Sequence, residues 1–178
     1  MRRESAFAAP EIVAAGYTYV ALGFRALPAV TLEDMVSQVR RGIEWVHANL
    51  SREIVLCGHS SGAHLSSCVL TQTDLVQRAI LVSGIYDLAP VRLSSRNGYA
   101  RIDERLEREY SPLRHVARIH CPVAVAWGEK ESAEFVRQSR EFAAALGAPI
   151  LVAPGLNHFE VIEQLAVRDS PLARHLAR

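Results

Sequence analysis

The sequence predicts an α/β fold in which a mostly parallel sheet carries helices on both of its faces. Two observations lead to this prediction. Short, continuously apolar runs alternate along the 178 residues with segments whose apolar positions recur at helical spacing. No repeat or low-complexity tract interrupts this alternation, so we expect a single domain over residues 1–178.

Five short runs are predicted as strands because they are rich in aliphatic, β-branched or aromatic residues and are bounded by turns. The first lies between Gly16 and Gly23, and the fourth is stopped by Gly128. Runs that are apolar throughout, rather than alternating with polar residues, are typical of a sheet covered on both faces. The five runs are residues 17–22, 54–57, 79–82, 122–127 and 150–152.

The amphipathic segments between these runs are predicted as helices. Thr31 can cap a helix that runs to about Asn49, because apolar residues follow it at three- and four-residue spacing. Gly147 suits the residue that ends a helix in a left-handed conformation. Further helices are predicted over residues 63–70, from Ser132 to Gly147, and again from residue 159 onward.

Residues 85–117 do not fit this alternation. They are polar and irregular, apart from a charged helical piece around residues 102–110. Long irregular connections of this kind are commonly functional. We therefore interpret residues 85–117 as an excursion over the surface that lines or covers a functional site.

Composition excludes several classes of protein. Twenty basic and nineteen acidic residues give a net charge of +1 with no block of like charge, which argues against a nucleic-acid or anionic-membrane partner. The longest uncharged stretch, residues 54–73, contains serine, glycine and histidine and is not a membrane span.

Three scattered cysteines predict neither a disulfide framework nor a zinc site. The segment after Arg2 and Arg3 is too short for a secretion signal, so we expect a cytoplasmic protein.

The sharpest local signal is the sequence Gly-His-Ser-Ser-Gly at residues 58–62, a G-x-S-x-G motif. It follows a predicted strand and opens a predicted helix, which is the context that the motif requires. In a tight turn of this type the hydroxyl of Ser60 projects at the carboxyl edge of the sheet. The backbone amide of Ser61, at the helix N-terminus, is then the candidate oxyanion donor.

A serine nucleophile needs a base and an acid that orients the base, and this architecture predicts the chain order serine, acid, histidine. His158 lies in the turn after the last predicted strand and is the candidate base. Glu131, in the loop after the fourth strand, is the candidate acid. Glu129 on the same loop and Asp87 after the third strand remain alternatives for the acid.

Two other histidines stand close to the motif. His59 precedes Ser60, and we expect the turn to point its side chain away from the nucleophile. His64 is four residues into the helix, where we expect it to pack in the interior. Neither is therefore a candidate for the base.

Three segments carry a resemblance to a known family. They are residues 58–64 (Gly-His-Ser-Ser-Gly-Ala-His), residues 128–139 and residues 157–163 (Asn-His-Phe-Glu-Val-Ile-Glu). On these segments the sequence resembles the α/β-hydrolases and, more narrowly, the arylformamidase (kynurenine formamidase) and related esterase branch. The resemblance implies that Ser60 is the nucleophile, Glu131 the acid and His158 the base.

The resemblance also implies a reaction. It is the hydrolysis of an ester or of an aryl formamide such as N-formylkynurenine, through an acyl- or formyl-enzyme and without a metal or organic cofactor. Tyr86, Tyr99 and Phe159 are possible contacts for an aryl group, although we expect each to pack in the core. The alternatives are a general carboxylesterase, or a catalytically impaired chain that acts by binding.

One feature of the family is missing from the sequence. The family has a His-Gly-Gly loop after its third strand that supplies further oxyanion amides, and residues 1–24 resemble the segment just downstream of that loop. We therefore expect the chain to lack the first three strands of the fold. Residues 17–22 and 54–57 would then close a gap of about 9–10 Å or leave backbone groups unpaired. Loss of one oxyanion donor typically lowers turnover about 10²–10³-fold.

Overall fold

Four parallel strands form the sheet in the computed structural model of the chain, which describes residues 4–176. The strands lie side by side in chain order, and Gly58 stands opposite Leu81, which stands opposite Val125. Because all four strands run in one direction, their carboxyl ends meet at one edge. The strands are β1 (Val55–His59), β2 (Arg78–Val82), β3 (Val123–Gly128) and β4 (Ile150–Ala153). Arg2 and Arg3, which entered the expectation about a secretion signal, lie outside the described residues.

Helices connect the strands. Their bounds are α1 (Ala9–Ala14), α2 (Leu32–Asn49), α3 (Ser61–Leu70), α4 (Ala89–Arg92), α5 (Asn97–Ala100), α6 (Glu104–Glu109), α7 (Ala133–Leu146) and α8 (Pro171–Leu176), with 3₁₀ helices at Glu4–Ala8, Pro112–Arg118 and Val161–Ala166. The predicted start of α2 is confirmed, because the hydroxyl of Thr31 accepts from the amide of Asp34 while the Asp34 carboxylate accepts from the amide of Thr31. The predicted end of α7 is confirmed by the left-handed Gly147. Within residues 4–176, no helix combines the length and the apolar character needed to cross a bilayer.

The two faces of the sheet bury two separate sets of apolar side chains. On β2, Ala79 and Leu81 belong to the first set, and Ile80 and Val82 belong to the second. The first set is completed by side chains of α2, α3 and α7, and the second by side chains of α1, α8 and the 3₁₀ helix Val161–Ala166. The prediction of a parallel sheet with helices on both faces is therefore confirmed.

The prediction of a strand over residues 17–22 is wrong. The structure assigns this segment neither strand nor helix, and β1 is an edge of the four-stranded sheet. Tyr17 and Tyr19 instead pack against the buried residues on the second face, and the Tyr19 hydroxyl donates to the carbonyl of Ser5. The apolar composition that suggested a strand therefore serves side-chain packing, since a strand also needs a hydrogen-bonded neighbour.

Residues 85–117 form a series of short helices, α4 to α6 and the 3₁₀ helix Pro112–Arg118, and α6 lies within the helical piece predicted around residues 102–110. The buried carboxylate of Glu107 on α6 accepts hydrogen bonds from Arg92 on α4 and from Arg114 on the 3₁₀ helix, and so connects three of these elements. The segment is also joined to α7, where the side-chain oxygen of Gln138 accepts from the amides of Tyr86 and Asp87.

His64 on α3 is buried, as expected from the sequence. Its Nδ1–H donates to the carbonyl oxygen of Ile85 over 2.8 Å, and its Nε2 lies 3.6 Å from the Sγ of Cys68. Burial lowers the pKa of His64 to about 4, because the charged imidazolium would lose its hydration.

This lowered pKa makes the free energy of unfolding depend on pH. Between pH 6.5 and pH 4 the unfolded chain takes up a proton at residue 64 and the folded chain does not, so stability falls as the pH falls. The total loss from this residue is about 3 kcal/mol, and no loss is expected above pH 7. Urea unfolding of the wild type and of His64→Gln between pH 4 and pH 7 measures this loss. A plot of the free energy of unfolding against pH should have a smaller slope for the variant. His120→Gln, at an exposed histidine, is the control and should keep the wild-type slope. Equal slopes for wild type and His64→Gln would contradict the prediction.

Candidate active site

Ser60 stands at the turn between β1 and α3. Its φ of 54° is unusual for a residue other than glycine, and its amide donates to the carbonyl of Val82 over 2.9 Å. The turn therefore reverses the chain within one residue at the carboxyl edge of the sheet. This is the local geometry that the sequence around Ser60 predicts.

His158, in the turn after β4, lies beside Ser60. Its Nε2 is 3.0 Å from the Oγ of Ser60, and its Nδ1 is 2.9 Å from Oε2 and 3.2 Å from Oε1 of Glu131. An ionised carboxylate only accepts hydrogen bonds, so Nδ1 carries the hydrogen and Nε2 accepts from the serine hydroxyl. A hydroxyl, an imidazole and a carboxylate are thus joined in one line of hydrogen bonds.

Glu131 follows β3, and its side chain is completely buried. The two alternatives for the acid are bonded elsewhere. The carboxylate of Glu129 accepts from the amide of Gly155 over 2.7 Å, and that of Asp87 accepts from the amide of Ala89 over 3.1 Å. The structure therefore brings Glu131, and not Glu129 or Asp87, into hydrogen-bond contact with His158.

Ser61 is the first residue of α3. The first amides of a helix have no partner inside the helix, and the positive end of the helix dipole favours a negative charge there. The backbone amide of Ser61 is therefore available to a ligand oxygen next to the Ser60 hydroxyl.

His59 lies against His158, a contact that the sequence does not predict. Its ring lies 4.8 Å from the ring of His158, centroid to centroid, and its Nε2–H donates to the carbonyl oxygen of His158 over 2.8 Å. Burial lowers the pKa of His59, which favours the neutral ring. Since the two residues are 99 positions apart, no local sequence pattern indicates this contact.

Ser83 is a second residue that the sequence reasoning missed. It follows β2 directly, has a φ of 50° and is fully buried. Its hydroxyl donates to Oε1 of Glu131, which adds a second donor to the carboxylate that contacts His158. The only sequence signal for Ser83 is its place at the end of a strand.

Aromatic rings surround the imidazole of His158. The ring of Phe135 on α7 lies 4.5 Å from it, and the ring of Phe159 meets it edge-on at 5.3 Å. Phe159 is 77% exposed, so the expectation that it packs in the core is wrong. Tyr86 does pack in the core, where it stacks on Phe142.

Comparison with known proteins gives a consistent set of relatives. No protein-family model matches the chain. The chain is 34% identical to a kynurenine formamidase of Salmo salar over 99% of its own length and 67% of that protein. It is 27% identical to LipM of Mycobacterium tuberculosis, which is named as a carboxylic ester hydrolase, over 71% of this chain and 37% of that protein. The chain thus spans about two thirds of the length of the formamidase.

A solved structure has the same architecture. A protein of Silicibacter sp. TM1040, named as a candidate thioesterase, superposes with a TM-score of 0.77 at 25% identity. The match covers 85% of this chain and 61% of that one. The chain therefore shares the fold of that protein over the matched part.

Proposed function

Because this chain belongs to the kynurenine formamidase family of α/β-hydrolases, we propose that it is a serine hydrolase that cleaves an aryl formamide or an ester. Ser60 is the nucleophile, His158 the base and Glu131 the acid that orients His158. The observation that carries the proposal is the line of hydrogen bonds from Ser60 Oγ through both nitrogens of His158 to Glu131. An aryl formamide of the N-formylkynurenine type is the substrate class we favour.

The reaction begins when the Oγ of Ser60 attacks the carbonyl carbon of the substrate. The hydroxyl proton passes to Nε2 of His158, and the carbonyl oxygen becomes an oxyanion that accepts from the backbone amide of Ser61. The intermediate then breaks its C–N or C–O bond, and His158 returns the proton to the departing amine or alcohol. A formyl or acyl group is left on Ser60.

The second half of the reaction uses water in the place of the leaving group. His158 takes a proton from the water as it attacks the formyl or acyl carbon, and gives that proton to Ser60 when the ester bond breaks. Formate or a carboxylate is released and the serine hydroxyl is restored. During each half, the buried carboxylate of Glu131 stabilises the positive charge that forms on His158.

We propose that no metal or organic cofactor takes part, because these groups supply a nucleophile, a proton carrier and an oxyanion donor. A small molecule is the only partner that the reaction needs. The three cysteines Cys57, Cys68 and Cys121 are free thiols, which fits a reducing compartment such as the cytoplasm.

A general carboxylesterase is the second candidate, favoured by the similarity to LipM. An ester and a formamide present the same carbonyl carbon to Ser60, so the same three side chains serve both reactions. The two candidates differ in the group that leaves. The exposed ring of Phe159 beside His158 favours an aryl substituent, since aromatic rings associate by stacking or edge-on contact.

A fluorophosphonate probe combined with substrate kinetics tests the proposal. We expect the probe to label Ser60 in the folded protein, identified by peptide mass, because His158 activates that hydroxyl. We also expect a higher kcat/KM for N-formylkynurenine than for p-nitrophenyl acetate. A preference for the acetate would favour the carboxylesterase, and a folded protein that is neither labelled nor active on either substrate would overturn the proposal.

A further inference from the structure

The hydroxyl of Ser83 donates to the carboxylate of Glu131, although no sequence motif points to this contact. We propose that Ser83 is a positioning residue, whose hydroxyl fixes the Glu131 carboxylate in the orientation that His158 requires. This inference rests on the proposed function for its effect on turnover. Its structural part, the effect on the contact between Glu131 and His158, does not.

The position of Ser83 connects the loops that carry the site. Its amide donates to the carbonyl of Ala126 on β3 over 2.8 Å, and its hydroxyl donates to Oε1 of Glu131. The preceding residue, Val82, accepts from the amide of Ser60 over 2.9 Å. Ser83 therefore lies at the end of β2, between the turn of the nucleophile and the loop of the acid.

The carboxylate of Glu131 needs both of its donors. Its side chain is completely buried, and a buried carboxylate without hydrogen-bond partners is strongly destabilised. His158 Nδ1 lies closer to Oε2, at 2.9 Å, than to Oε1, at 3.2 Å, and Ser83 donates to Oε1. Each oxygen thus has its own principal donor. Without the hydroxyl, the imidazole N–H is the one donor left among these contacts, and the carboxylate is free to rotate.

The backbone of Ser83 supports the same inference. A φ of 50° is a left-handed conformation that glycine adopts without cost and that other residues rarely adopt. Backbone stability alone would therefore favour glycine at this position. A serine here carries a strained backbone together with a hydroxyl that contacts the acid, which points to a role for the hydroxyl.

The experiment compares Ser83→Gly and Ser83→Ala with a matched control. Both variants lose the hydroxyl, but Ser83→Gly also relieves the backbone, so it should unfold less easily than Ser83→Ala. We expect kcat to fall about 10- to 100-fold in both variants, since hydrogen bonds to charged groups have effects of this size. Ser139→Ala is the control, because Ser139 is also fully buried and, within residues 4–176, its hydroxyl has no hydrogen-bond partner. The control should keep the wild-type kcat.

The pH profile separates positioning from a merely structural role. Loss of the Ser83 donor leaves His158 as the remaining donor to the carboxylate among these contacts, so the negative charge of Glu131 favours the charged imidazolium of His158 more strongly. We therefore expect the acid limb of the kcat profile to move to higher pH in Ser83→Gly. The acid limb should not move in Ser139→Ala. A Ser83→Gly protein with the wild-type kcat and the wild-type acid limb would overturn the inference.

A measurement without substrate keeps this inference separate from the proposed function. The Nδ1–H proton of His158, shared with the carboxylate of Glu131, should give a far-downfield proton NMR signal in the wild type and in Ser139→Ala. In Ser83→Gly this signal should shift upfield or broaden. If the wild type cleaves neither esters nor formamides, the proposed function fails and the NMR comparison still decides the role of Ser83. An identical signal in wild type and Ser83→Gly would count against it.

Discussion

Replacing Ser60 by alanine is expected to lower kcat for N-formylkynurenine by about 10⁴- to 10⁶-fold and to abolish labelling by a fluorophosphonate. The Oγ of Ser60 is the atom that His158 Nε2 contacts at 3.0 Å, and alanine removes it. Stopped assays with purified protein measure kcat, and intact-mass analysis after probe treatment measures labelling. KM should change little, because the hydroxyl acts mainly in the transition state.

The folded structure should survive this substitution. Ser60 already has a positive φ, and alanine has the same Cβ as serine, so the substitution adds no backbone strain. Ser95→Ala, at an exposed serine, is the control and should keep both kcat and labelling. Full labelling of Ser60→Ala by the fluorophosphonate would mean that another residue is the nucleophile.

Replacing Gly58 by alanine is expected to destabilise the protein by about 3 kcal/mol or more and to lower activity in what remains folded. A Cβ on Gly58 would lie 2.6 Å from the carbonyl oxygen of Gly62, 2.6 Å from the Oγ of Ser66 and 2.8 Å from the Cα of Ala63. Two of these three atoms belong to the backbone of α3. Strand β1 and helix α3 would therefore have to separate, and Ser60 lies in the turn that joins them.

Gly62 in the same motif provides the matched control. Apart from its chain neighbours and the backbone of α3 itself, a Cβ there would meet no atom within 4 Å, and Gly62 is the second residue of α3. Since alanine favours helices over glycine by up to about 1 kcal/mol, Gly62→Ala should leave stability unchanged or raise it. Thermal or urea unfolding of both variants checks the contrast. Equal stability of Gly58→Ala and Gly62→Ala would show that β1 and α3 do not pack as closely as described.

The sequence is informative about the site where a residue lies in the turn or loop that follows a strand. Ser60, Glu131 and His158 each follow a run of apolar residues, and parallel strands bring such positions to one edge. The pattern favours Glu131 as the acid but leaves Glu129 and Asp87 as alternatives, and the family resemblance selects Glu131. In the structure His158 contacts Glu131, whereas the carboxylate of Glu129 accepts from the amide of Gly155.

The contacts that escaped prediction join residues far apart in the sequence. His59 meets His158 across 99 positions, and Ser83 meets Glu131 across 48. Neither contact has a periodicity or a motif that a single sequence displays. The composition of residues 17–22 predicts a strand that does not form for a related reason, because strand formation depends on a neighbouring strand and not only on composition.

The two buried clusters also differ in when they can form during synthesis. The cluster over Ile80 and Val82 is closed by Ile12 near one end of the chain and by Leu172 and Leu176 near the other. Translation proceeds at about 5–20 residues per second, so the contacts that Leu172 and Leu176 make in this cluster cannot form until those residues have been synthesised. The packing of α2 against α3 needs only residues 32–70 and can therefore form earlier during synthesis.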